Sequence, residues 1–180
     1  MDTVSRRWWM FVVRGMASFA FAVLLLLGPD WGSSRVLAMA FGVYALVDGA
    51  GALAFVRGAR GFETNAYIGR GVLGLLVGAC ALAQPMATTT ALWVLVSIWG
   101  IGTGVFEMVF GTRTWSKVPK AVGFMLAGAV SFGLGITAIH FALDGVGMLR
   151  GFLAFYAVVN GITATALGES IHAVPQPASP

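Results

Sequence analysis

Six apolar runs separated by short polar segments dominate the chain. Each run is close to the roughly 20 residues that a helix needs to cross the hydrocarbon core of a bilayer. A helix also satisfies its own backbone hydrogen bonds, which lipid cannot do. The pattern therefore predicts an all-α fold, a polytopic membrane bundle of six transmembrane helices. The runs cover residues 9–27, 36–56, 66–83, 88–110, 121–141 and 147–167.

The connections between the runs alternate in length. Pro29 follows the first run, Pro85 follows the third, and Asp144-Gly145 follows the fifth, so each of these turns is short. Proline cannot continue a helix without losing a backbone hydrogen bond. The remaining connections, 57–65 and 111–120, are longer and polar. We therefore expect three tight helical hairpins in one transmembrane domain of residues 9–168, over residues 9–56, 66–110 and 121–168.

Basic residues favour one orientation of this bundle. Only Arg35 and Arg150 lie on the side of the short turns. By the positive-inside rule, residues 1–8 and the C-terminal tail, 169–180, are then both cytoplasmic. The tail contains three prolines, which predicts disorder. The basic residues on the other side are Arg6, Arg7, Arg57, Arg60, Arg113, Lys117 and Lys120.

Composition supports a membrane protein and excludes other classes. The chain is 58% hydrophobic and only 10% charged, whereas soluble domains carry about 25% charged residues. The net charge of +4 is explained by the orientation of the helices and by contact with a lipid bilayer. A nucleic-acid partner is not expected, because the sequence has no stripe of basic residues interleaved with exposed aromatic residues. Cys80 is the single cysteine, and we expect it to be a small packing residue.

An internal repeat relates the three hairpins. The second arginine–glycine pair lies 56 positions after the first, and the second tyrosine motif lies 112 positions after the first, which is twice that period. Two spans restore the starting side of the membrane, so these are parallel repeats. The repeated motifs are Arg14-Gly15 with Arg70-Gly71, and Tyr44-x-x-x-Asp48-Gly49 with Tyr156-x-x-x-Asn160-Gly161.

Arg14, Asp48, Arg70 and Glu107 lie inside apolar runs, where an ionised side chain at a central position costs roughly 2.5–3.5 kcal/mol. We expect Arg14 to meet Asp48, and Arg70 to meet Glu107, across their hairpins. In the third repeat the arginine position is Leu126 or Ala127, and the acid position is Asn160. Both charges are absent together, as pairing predicts, because a lone buried charge is costly.

Two interpretations of this constellation remain open. The charges form a proton or ion relay, with Asp48 and Glu107 as its titrating members, or they form structural clamps. Arginine does not deprotonate in proteins, which favours the clamp. His140, near the end of the fifth run, is a lesser candidate for pH sensing.

Other sequence patterns give no chemistry. No residue pattern predicts a catalytic, cofactor-binding or metal site, so the expectation is a protein that is not an enzyme and has no cofactor. A lipid-modifying enzyme is the weakest class, because no nucleophile or metal set is present. Three glycine pairs predict close-packing faces within the chain or between subunits of a homo-oligomer. They are Gly74-x-x-x-Gly78, Gly100-x-x-x-Gly104 and Gly147-x-x-x-Gly151.

The repeated frame resembles the HdeD-type acid-resistance membrane proteins. The resemblance rests on Arg14-Gly15, Pro29, Phe41-Gly42-x-Tyr44 and Asp48-Gly49, with recurrence of the same frame, and covers almost the whole chain. It implies a six-span, multi-pass protein of the bacterial inner membrane, built on a repeated domain of unknown function. It also implies a role in acid or envelope stress. The alternative is a small transporter or proton-conducting protein that uses Asp48 and Glu107.

Overall fold

The computed structural model describes residues 8–28, 33–57, 59, 61–83, 88–114 and 121–172. This part of the chain contains six helices and no strand. The predicted disordered tail lies mostly outside it, as do most of the connections between helices. The helices are α1 (Trp8–Leu27), α2 (Ser34–Val56), α3 (Phe62–Ala83), α4 (Thr89–Thr114), α5 (Ala121–His140) and α6 (Val146–His172).

The six helices confirm the predicted fold class. Each is long and apolar enough to cross a membrane, which indicates a multi-pass membrane protein whose outer surface contacts lipid. Their ends differ from the apolar runs where the sequence is polar. The third helix begins at Phe62 and the last continues to His172, so residues 62–65 and 169–172 are helical. An apolar run marks the part of a helix inside the bilayer, whereas backbone hydrogen bonding continues into the polar flank.

Hydroxyl side chains begin two of the helices. Ser33 is the N-cap of α2, and its hydroxyl accepts a hydrogen bond from the backbone amide of Arg35 at 3.3 Å. Thr88 precedes α4 and accepts from the backbone amide of Ala91 at 3.2 Å. The first amides of a helix have no partner within it, and these oxygens supply one.

The closest helix pairs are not the expected hairpins. Helices α2 and α3 pack tightly, as do α4 with α5 and α6 with α1, whereas α1 and α2 barely touch. The three tight pairs therefore join successive repeats and close the bundle by joining the third repeat to the first. We call these contacts the seams. A short turn limits the distance between the ends of two consecutive helices, but glycine decides which helices pack most closely, because backbones approach closely only where side chains are small.

Each seam is built on glycine. A Cβ added to Gly74 would lie 2.8 Å from Gly49 Cα, one added to Gly104 would lie 2.7 Å from the Gly128 oxygen, and one added to Gly15 would lie 2.9 Å from the Gly161 oxygen. Contacts this short leave no room for a side chain. The predicted packing faces at Gly74/Gly78 and Gly100/Gly104 are thereby confirmed.

The third glycine pair behaves differently. Cβ atoms added at Gly147 and Gly151 would meet no atom within 4 Å. The prediction of close packing within the chain is therefore wrong for this pair, since α6 presents it on its exposed face. Contact between subunits there stays a prediction. Cys80 is likewise exposed on α3, so its expected role as a packing residue is also wrong.

The helices form an inner and an outer set. Half of the most apolar stretch is buried in each of α2, α4 and α6, against 33–39% in α1, α3 and α5. The three even helices therefore surround the centre, and the three odd helices lie outside them. The acid and asparagine positions of the repeat are on inner helices, whereas the arginine positions are on outer helices and must reach inward.

Two apolar clusters fill the interior. The larger contains the fully buried Phe41, Trp93 and Trp99 together with Tyr44 and Tyr156. The smaller lies towards the end of the bundle that holds Trp8 and His172, the first and last described residues. It consists of Phe11, Phe55, Ala66, Phe110, Phe124, Ala127 and Leu167. The charged side chains lie between these two clusters.

Candidate functional site: a buried cluster of four charges

The side chains of Arg14, Asp48, Arg70 and Glu107 converge on one place. Arg14 lies on α1, Asp48 on α2, Arg70 on α3 and Glu107 on α4. Asp48, Arg70 and Glu107 are buried, with side chains 4–9% exposed, whereas the Arg14 side chain is 19% exposed. We refer to these four residues as the charge cluster.

Each arginine contacts both acids. Arg14 donates through Nε to Asp48 Oδ1 at 2.8 Å and through Nη2 to Glu107 Oε1 at 3.0 Å. Arg70 donates through Nη1 to Glu107 Oε1 at 2.6 Å and through Nη2 to Asp48 Oδ2 at 3.1 Å. The structure thus brings together the two expected partnerships and adds two others. The result is one network with two positive and two negative groups, and no net charge.

The glycine after each polar residue explains how the side chains reach one another. A Cβ on Gly71, which follows Arg70, would lie 3.0 Å from the Gly49 oxygen, and Gly49 follows Asp48. The equivalent contact at another seam joins the glycine after Arg14 to Gly161. Glycine therefore lets the two backbones touch one residue beyond each polar pair, which places the arginine beside the acid or asparagine across the seam.

The third seam identifies the position of the missing arginine. A Cβ on Gly128 would lie 2.6 Å from the backbone nitrogen of Met108, the residue after Glu107. Ala127 therefore takes the place of the arginine, and it is 4% exposed. The other candidate, Leu126, is 62% exposed and faces outward.

The seams also change the interpretation of the absent charges. Across its seam Arg14 meets the neutral Asn160 at 3.2 Å, and by the repeat Ala127 is the position opposite Glu107. Compared with the seam between α2 and α3, which has both charges, the seam of α1 therefore lacks an acid and the seam of α4 lacks an arginine. Each hairpin is neutral by itself, but the seams of α1 and α4 are not. Their charges are balanced across the whole cluster, because Arg14 also bonds to Asp48 and Glu107. This corrects the expectation of two independent pairs.

One carboxylate oxygen of the charge cluster accepts no hydrogen bond from the described residues. Glu107 Oε1 accepts from both arginines, whereas Oε2 is buried and has no hydrogen-bond partner among the described residues. An unpartnered buried carboxylate oxygen carries a desolvation penalty. By the repeat, an arginine at Ala127 would approach Glu107 from the adjacent helix, so the alanine accounts for the missing donor.

Hydroxyl groups one turn from the cluster were not identified as site residues from the sequence. The hydroxyls of Ser18 and Tyr44 are 2.8 Å apart, and Asn160 Nδ2 donates to the Tyr44 hydroxyl at 3.4 Å. In the third repeat the Tyr156 hydroxyl lies 3.4 Å from Thr103 Oγ1. The repeated tyrosine four residues before the acid position was the available signal, since residues at i and i+4 share a helix face.

A cavity of about 190 Å³ adjoins the charge cluster on the side of the smaller apolar cluster. All four charged residues line it, together with apolar side chains that include Phe55 and Phe110. Its other walls include exposed residues of α1 and α2, such as Val13 and Val47, which are 53% and 55% exposed. The cavity therefore extends from the buried charges to the outer surface between these two helices.

The remaining candidate residue lies apart from the cluster. His140 is exposed at the end of α5, and it does not line the cavity that adjoins the charge cluster. Within the described residues, no group of three or more His, Cys, Asp or Glu side chains is placed to hold a metal ion. The contacts within the charge cluster are ion pairs that are also hydrogen bonds.

Part of the chain matches a known protein family. Residues 69–140 match the model of a family described as a short repeat of unknown function (DUF308). The matched segment runs from the residue before Arg70 to the end of α5, so it contains Arg70 and Glu107. No curated protein and no solved structure matches the chain significantly. The chain is thus a multi-pass helical membrane protein that carries a DUF308 repeat.

Proposed function

We propose that this chain is a non-enzymatic protein of the bacterial inner membrane that acts in acid or envelope stress. The charge cluster is the clamp that joins the first two repeats, and Arg14 extends it to Asn160 of the third. The matched repeat and the resemblance to HdeD-type proteins support the stress role. The clamp rests on one observation, namely that each of two arginines bonds to both of two acids at 2.6–3.1 Å.

The geometry favours a clamp over a relay for a reason of charge. Arginine stays protonated in proteins, so protonation of either acid would leave two cations facing one anion in a low-dielectric interior. Four helices contribute to the cluster, and removal of any one charge would affect the packing of all of them. A buried ionic network of this kind specifies which helices meet, although buried pairs add little net stability.

The packing on one side of the cluster also opposes a continuous pathway. Trp99 lies between two tyrosines, with ring centroids 5.5 Å from Tyr44 and 5.2 Å from Tyr156, and Phe41 packs against its edge at 5.8 Å. These rings belong to the three inner helices and fill the bundle centre. An ion crossing the bundle would have to displace them.

Loss of the gene tests the stress role. A deletion strain of the native host is expected to survive a low-pH or envelope challenge less well than its parent, and expression of the wild-type chain should restore survival. Complementation by the neutral double variant Arg70→Gln, Glu107→Gln is also expected, because a clamp tolerates removal of one balanced pair. Equal survival of parent and deletion strain in both challenges would contradict the proposal.

We also propose that both termini face the cytoplasm, as the distribution of basic residues favours. Reporter fusions after residue 180 and within the turn that contains Asp144 test this orientation. A phosphatase reporter, active only outside the cytoplasm, is expected to be active at the turn and inactive at the C-terminus. The opposite pattern would exclude the proposed orientation.

A transporter or proton-conducting protein is the second candidate, and two observations favour it. The cavity reaches both Asp48 and Glu107, and Glu107 Oε2 is unpartnered among the described residues. Proton flux into liposomes that contain the purified wild-type chain tests this candidate. Flux that disappears in folded Asp48→Asn and Glu107→Gln variants would support conduction over the clamp, whereas absence of flux in the wild type would exclude it.

A further inference from the structure

The walls of the cavity next to the charge cluster are almost entirely apolar. They include Phe55, which is 9% exposed, and Phe110, which is 5% exposed. A dry cavity of about 150 Å³ lined by such side chains takes up benzene, so a volume of about 190 Å³ accommodates a segment of hydrocarbon. Filling it would restore dispersion contacts that the wall atoms otherwise lack.

The charged groups at the inner end of the cavity do not select an ionic ligand. Two arginines and two acids bond to one another, so the cluster as a whole attracts neither an anion nor a cation strongly. An additional ion would have to lose its own water and compete with bonds that are already formed. The chemistry of the cavity therefore favours an uncharged, apolar occupant.

The open side of the cavity determines where this occupant comes from. Helices α1 and α2 barely touch, and the residues that line the cavity there are exposed: Val13, Val47 and Gly51. These positions lie within membrane-spanning stretches, where the surrounding solvent is lipid. A bilayer acyl chain is thus the apolar molecule at highest concentration beside the opening.

We propose that the cavity is a binding site for one acyl chain of a bilayer lipid, which enters sideways between α1 and α2 and ends against the charge cluster. This inference depends on the membrane location of the helices and not on the stress role. The proposed site gives the gap between α1 and α2 a function. The three glycine seams account for the tightest helix contacts but do not explain this gap.

Photochemical labelling in a defined bilayer tests this inference. The full chain is reconstituted in liposomes of phosphatidylethanolamine and phosphatidylglycerol, with a small fraction of phosphatidylglycerol that carries a diazirine in one acyl chain. Labelled residues are then mapped by mass spectrometry. We expect adducts on Phe55 and Phe110, which lipid around the outside of the bundle cannot reach because they are buried.

Two glycines provide a matched pair of variants. A Cβ added at Gly51 or at Gly151 would meet no atom within 4 Å, so both positions accept a larger side chain without disturbing a seam. Gly51 lines the cavity and Gly151 does not. Gly51→Phe is expected to lower the labelling of Phe55 and Phe110 several-fold, whereas Gly151→Phe should leave it unchanged. Labelling of Met16, on the outside of α1, should be the same in both variants.

Two results would overturn the inference. One is wild-type protein that is labelled at Met16 but not at the buried phenylalanines. The other is labelling of these phenylalanines that persists in folded Gly51→Phe. If Gly51→Phe does not fold, the smaller Gly51→Leu replaces it. The labelling pattern of the wild-type protein alone still decides whether the buried phenylalanines are reached by an acyl chain. Oxidation of Phe55 and Phe110 by hydroxyl radicals in place of acyl adducts would identify a water-filled cavity and reject the proposal.

Discussion

Removal of Arg70 is the most direct perturbation of the charge cluster. Arg70→Gln keeps a polar side chain of moderate length but deletes a cation that bonds to Glu107 at 2.6 Å and to Asp48 at 3.1 Å. Two buried acids then face the single cation of Arg14. The cluster changes from neutral to a net charge of −1 in an interior where its side chains are only 4–19% exposed.

The expected cost follows from what remains buried. Breaking a buried ion pair by removal of one partner destabilises a protein by about 3–5 kcal/mol, because the other charge is left uncompensated. We therefore expect Arg70→Gln to lower the free energy of unfolding by about 3–5 kcal/mol. The double variant Arg70→Gln, Glu107→Gln is neutral again, and it should recover a large part of that loss.

Reversible unfolding of purified protein in mixed micelles measures these differences, with circular dichroism or tryptophan fluorescence as the signal. Arg113→Gln is the control, because Arg113 is exposed in the last turn of α4 with its guanidinium 5.5 Å from the centre of the Phe62 ring. Its loss should cost about 1 kcal/mol or less. Additive effects of the two glutamine substitutions, or a cost for Arg70→Gln no larger than that for Arg113→Gln, would refute the clamp.

Three further predictions use the same unfolding measurement. Alanine normally stabilises a helix relative to glycine by about 0.5–1 kcal/mol, so Gly133→Ala, at an open position, should raise stability. Gly104→Ala should lower it, because the new Cβ would lie 2.5 Å from a backbone nitrogen of α5; an equal effect at both positions would contradict the seam. Ala127→Arg should destabilise the bundle alone and less when combined with Asn160→Asp, which restores neutrality; additive costs would show that the two positions are not coupled. Tyr44→Phe should lower the free energy of unfolding by about 1 kcal/mol, the net value of a typical hydrogen bond, because the 2.8 Å contact to the buried Ser18 hydroxyl is lost. No measurable change would show that this contact does not stabilise the bundle.

The seams have a consequence for how such a repeat protein tolerates change. Each repeat contributes one inner and one outer helix, and its outer helix is tightly packed against the inner helix of the preceding repeat. In the first two repeats the arginine also bonds to the acid of the other repeat. The third repeat has lost both charges, at Ala127 and Asn160, without leaving the cluster with a net charge. Loss of only one of these two charges would not have kept that balance.

The apolar runs by themselves determined the fold class and the number of helices. A bilayer fixes the length of a spanning helix, and lipid satisfies no backbone hydrogen bond, so hydrophobic length translates directly into helical spans. The charges inside the apolar runs likewise indicated two pairs, Arg14 with Asp48 and Arg70 with Glu107. A buried charge in lipid is costly enough that its occurrence four times is informative without a structure.

Only the tertiary structure decided which helices pack and which charges pair. Hydrophobic patterning shows that a helix lies in the membrane but does not identify its closest neighbour, because every lipid-exposed face is equally apolar. That choice depends on where glycines of two helices lie opposite each other, as Gly49 and Gly74 do. The sequence alone does not show which glycines of different helices are adjacent in space. The same close approach brings Arg70 to Asp48 and leaves α1 and α2 apart, so the shared charge cluster and the lateral cavity both arise from the packing of the seams.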